Sequence, residues 1–106
     1  MSLRLLGNEF VVEIVNRDDT RLQGSMGKVF LGHQLILLAD VQSRDQLRST
    51  VLHEILECCN MMMNLELGEH QIACLETALY AVLSDNGVSL ESLVARIKEE
   101  PSGHPG

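Results

Sequence analysis

Tryptophan is absent from this 106-residue chain, and a single tyrosine and two phenylalanines bring the aromatic share to 3%. Leu, Val, Ile and Met must therefore fill the interior, and 45% hydrophobic residues is an ordinary globular share. Basic residues are also scarce. Eight Lys and Arg stand against fifteen Asp and Glu, for a net charge of −7. The eight are scattered, which argues against a nucleic-acid surface, because phosphate binding needs clustered cations. Three cysteines, two of them adjacent at Cys58 and Cys59, do not make a disulfide framework. With no apolar leader at Met1–Leu6, the odd count points to a reducing, cytoplasmic setting. No apolar run approaches the roughly 20 residues of a membrane helix. Length and composition predict one small domain over residues 1–100, with residues 101–106 as a disordered tail.

The periodicity changes once along the chain. Glu9 to Val15 is β-branched and aromatic and predicts a strand; Lys28 to Leu31 and Gln34 to Ala39 predict two more, joined by a two-residue turn at Gly32-His33. From Ser43 the apolar spacing becomes helical. Ser43-Arg44-Asp45-Gln46 is a capping box, opening a helix over about 44–65. Its apolar face holds Leu47, Val51, Ile55, Cys58 and Met62, and its polar stripe holds Thr50, His53, Glu57 and Asn60. A second helix over about 69–85 is expected to bury Ile72, Leu75, Leu79, Val82 and Leu83. A third, over about 89–99, should bury Leu90, Leu93, Val94 and Ile97. Strands followed by helices predict an α+β fold, a small three-stranded antiparallel sheet packed against three helices.

The chemistry centres on His53-Glu54-Ile55-Leu56-Glu57, an H-E-x-x-E sequence. It differs at its last position from H-E-x-x-H, the zinc-peptidase helix signature, in which two ligands sit at i and i+4 and the intervening Glu activates water. Residues four apart on a helix lie about 40° apart in azimuth, so His53 and Glu57 can converge on one ion. The second helix offers His70 and Cys74 at the same spacing, on a stripe with Thr77 and Ala81 whose small residues would let another helix approach. Pressed against the first helix, that stripe would complete a His53, Glu57, His70 set with an open position and Glu54 as general base. Cys74 is a weaker candidate, as is Glu76, which points about 120° from His70. The plain alternative is a solvated polar stripe with no ion. His33 and His104 read as surface residues.

Three blocks together resemble a known family: Leu35–Asp40, Thr50–Ile55 and Leu79–Asn86. They look like small phage-type zincin-like proteins, related to minigluzincins and to the ImmA/IrrE-type metallopeptidase domain. The resemblance spans roughly residues 9 to 87. It implies a sheet whose edge strand receives an extended peptide or protein substrate, and a zinc ion, with other divalent metals possible. It also implies an active-site helix with His53 as first ligand and Glu54 as base. Glu57 stands where the family has His, and Ala73 stands near the family's Glu ligand, with His70 one turn earlier. Two imidazoles and one carboxylate would survive this exchange. Three functions are therefore expected to compete. One is a zinc-dependent peptidase, one a non-catalytic metal module closed by His53, Glu57, His70 and Cys74, and one a metal-free, zincin-like protein-interaction module of phage origin.

Overall fold

The structure, a computed structural model, describes residues 1–99. The expected tail at 101–106 lies outside them. The chain folds as β1 (Ser2–Leu5), β2 (Asn8–Val15), β3 (Gly27–Phe30), β4 (Leu35–Ala39), α1 (Arg44–Met63), α2 (Glu69–Asp85) and α3 (Glu91–Glu99). No helix among the described residues is long and apolar enough to cross a membrane.

The class is α+β, but the sheet is not the three-stranded antiparallel one expected. It has four strands in the order β1-β2-β4-β3 and is mixed: β1/β2 and β3/β4 are antiparallel, and β2/β4 are parallel. Two physical reasons account for the difference. Leu35-Ile36-Leu37-Leu38-Ala39 is apolar without alternation, and such a strand is stable only with neighbours on both edges and cover on both faces. It inserts between β2 and β3, and Ile36, Leu37, Leu38 and Ala39 are all buried. The extra strand, β1, is short and lacks β-branched residues, so it carries little strand propensity. It forms because Leu6 and Gly7 both take positive φ, the two-residue hairpin geometry that matches strand twist. The β3–β4 connection is longer than the expected two-residue turn. Phe30 pairs with Leu35 across a helical turn at Leu31–His33, and the positive φ falls on Gln34 rather than Gly32.

One face of the sheet carries the main core, where Phe10, Val12, Ile36 and Leu38 meet Leu47, Val51 and Cys58 of α1 and Val94 and Ile97 of α3. Leu22 covers Leu37 and Ala39 on the other face. The capping box forms as expected: Gln46 N–H donates to Ser43 Oγ and Ser43 N–H to the Gln46 side chain. The second helix departs from expectation, since Ile72 is its one buried residue and Leu75, Leu79 and Val82 are exposed.

At Gly27 the sheet touches α1 most closely. A Cβ there would sit 2.8 Å from Thr50 Cγ2 and 2.9 Å from Glu54 Cγ. Gly27→Ala should therefore cost about 1–3 kcal/mol by overpacking. Urea unfolding checks this, and unchanged stability would mean that β3 and α1 are not in contact.

Candidate metal centre

Two helices and one strand edge build the site. After α1 the chain turns at Asn64, in the left-handed conformation, and the Asn60 side chain holds Leu67 by both its N–H and its carbonyl. Gln71 then closes back on the Gly68 N–H. This hairpin runs α2 antiparallel along α1. Ile72 is fully buried and faces inward, so Glu69 and Glu76, three before it and four after it, share its face.

His53 lies between them. Its Nδ1 is 3.0 Å from Glu76 Oε1, and Ser49 Oγ–H donates to the other carboxylate oxygen. Where Glu76 is ionised it can only accept, so Nδ1–H donates to it, and in the neutral imidazole Nε2 is then left as the acceptor facing the cleft. That Nε2 is 3.7 Å from Glu69 Oε2. His53, Glu57 and Glu69 each offer a ligand atom, all within 4.8 Å of one another.

Glu54 is 7% exposed. Burial pushes its carboxyl up to about 7, aided by the charges of Glu57, Glu69 and Glu76 and opposed by His53. Glu57 is also raised, first by burial and then by the neighbouring Glu69 charge, and opposed by His53. Beside these residues opens a cleft of about 850 Å³, bordered by Gly27, Lys28 and Val29 of β3 and by Met61. Gln42 ties the two walls together, donating to Met26 O and accepting from Thr50 Oγ1.

The structure brings together His53, Glu57 and the adjacent Glu54, as the sequence suggests, but places the other candidates differently. His70 is exposed, 3.6 Å from Cys74 Sγ, and both lie outside the group of three. The small-residue stripe that was expected to press on α1 faces outward. Glu69, which the sequence reading passed over, occupies the third position, and Glu76 is the carboxylate that fixes the His53 ring. The missed signal is the spacing Glu69-x-x-Ile72-x-x-x-Glu76, which places two carboxylates on the apolar side of α2.

A divalent cation fits this donor set. One imidazole and two carboxylates suit zinc and tolerate other divalent ions. Among the described residues, no ion pair brings Lys or Arg to Glu54, Glu57, Glu69 or Glu76. Comparison with known protein families, curated proteins and solved structures finds no match to this chain.

Proposed function

We propose that the protein is a zinc-dependent hydrolase of peptide bonds, with His53, Glu57 and Glu69 as ligands and Glu54 as general base. The observation that carries this reading is the convergence of three donors, with an adjacent carboxyl group raised to about 7, on one cleft. A bound dication there would supply Lewis acidity and make a water in the cleft easier to deprotonate. The rest of the chemistry belongs to the chain. A carboxyl near neutrality can take a proton from water and return it to a leaving amine. Glu76 holds the imidazole in the tautomer that leaves Nε2 free. As the outermost strand, β3 presents one unpaired backbone edge along the cleft, where an extended peptide can lie by strand addition.

The resemblance to small zincin-like metallopeptidases supports the same assignment of His53 and Glu54. The four-ligand module loses support, because His70 and Cys74 face each other on the exposed side of α2.

The test is cleavage of an unfolded polypeptide by the zinc-loaded protein. Glu54→Gln should keep the metal and lose about 10²–10⁴-fold in rate, the usual contribution of a general base. Cleavage by Glu54→Gln at the wild-type rate would overturn the reading.

A further inference from the structure

The charges around the cleft are nearly all of one sign. Glu54, Glu57, Glu69 and Glu76 border it, and Lys28 is the one Lys or Arg that does so among the described residues. Lys28 does not balance them. Its Nζ donates to Gln23 and lies 5.8 Å from the centre of the Phe30 ring, on the sheet face that Leu22 covers. Gly27, one residue before it, meets α1 on the opposite face. Glu54 is nine-tenths buried, borders the cleft and makes no hydrogen bond or ion pair among the described residues. A dication held by Glu57 and Glu69 would cancel two of these charges. Glu76 remains, and Glu54 joins it whenever it is ionised.

We infer that the cleft takes extended polypeptide segments carrying Lys or Arg at alternate positions, a choice of substrate that rests on the hydrolase reading above. A strand added along β3 turns every second side chain to the same side. Those on the α1 side of the sheet meet the carboxylates of α1 and α2. Met26 and Met61 border the same cleft and are 38% and 41% exposed. Their flexible thioethers can cover the aliphatic stem of a Lys or Arg whose charged head reaches a carboxylate. Acidic segments are repelled, and so is a second copy of this chain, with its net charge of −7. Salt screens such attraction beyond about 8 Å under physiological conditions, so the preference weakens as salt rises.

Fluorescence anisotropy with zinc-loaded Glu54→Gln tests this choice of partner. Two labelled peptides differ only in carrying Lys or Glu at alternate positions. The Lys peptide should bind at least about tenfold more tightly at low salt, with the gap closing in about 1 M salt. The ε-methyl NMR signals of Met26 and Met61 should shift as it binds. Equal affinities, a tighter Glu peptide, or no binding of either overturns the inference. So does a Lys peptide that leaves both methyl signals unmoved, which is attraction to the acidic surface at large. Cleavage by the zinc-loaded wild type is read separately. A Lys peptide that seats in the cleft and stays intact upholds this inference and removes the hydrolase. Cleavage of both peptides at one rate keeps the hydrolase and overturns this inference.

Discussion

Stripped of metal, Glu54→Gln should be more stable than the wild type above pH 7 by about 3 kcal/mol. The carboxyl is raised from 4.5 to about 7, chiefly by burial, and each unit is worth about 1.4 kcal/mol. The sign follows from proton binding. Between pH 4.5 and pH 7 the folded protein keeps the proton that the unfolded chain releases. The acid therefore does not penalise the fold below the lower value, and stability falls as pH rises through the upper one. Glutamine has the same shape and no charge, so its stability does not carry this slope. The two curves should meet below pH 4.5 and separate as pH rises, in urea titrations run with a chelator. Parallel curves would show that Glu54 is solvated. A side chain that destabilises its own fold at neutral pH, and whose neutral isostere is expected to slow hydrolysis about 10²–10⁴-fold, is the signature of a site that trades stability for chemistry.

The second large effect is expected at Glu76. It touches His53 Nδ1 and Ser49 but is not one of the three converging donors. Partners of this kind typically hold 10–100-fold of metal affinity. Glu76→Gln keeps an acceptor for Nδ1 and should lose about tenfold; Glu76→Ala removes it and should lose about a hundredfold. Competition with a chromophoric zinc chelator reads the affinity, and nitrogen chemical shifts of the imidazole read the tautomer, which should move toward Nε2–H in Glu76→Ala. Loss of binding as complete as in His53→Ala would make Glu76 a ligand itself.

Local signals in the sequence carried the helices well. The Ser43–Gln46 box sets the start of α1, and the 69–85 bounds of α2 match the helix observed. What failed depended on context. The parallel pairing of β2 with β4 reflects competition among strands for the centre of the sheet, which no single segment encodes. The third ligand failed through one residue. Glu69 and His70 differ by about 100° on the helix, and their orientation is fixed by Ile72, the side chain that α2 buries in full. Periodicity assigned Leu75, Leu79 and Val82 to the same interior. They are exposed, because α2 turns on Ile72 and packs on α1 by its Glu69–Ile72–Glu76 side.

Calorimetric titration of the metal-free protein with zinc bears most directly on the site. The wild type should bind one ion, His53→Ala none, Glu69→Gln at least about tenfold more weakly, and His70→Ala as tightly as the wild type. No binding by the wild type, or a His70→Ala protein that loses the ion while Glu69→Gln keeps it, would contradict the account.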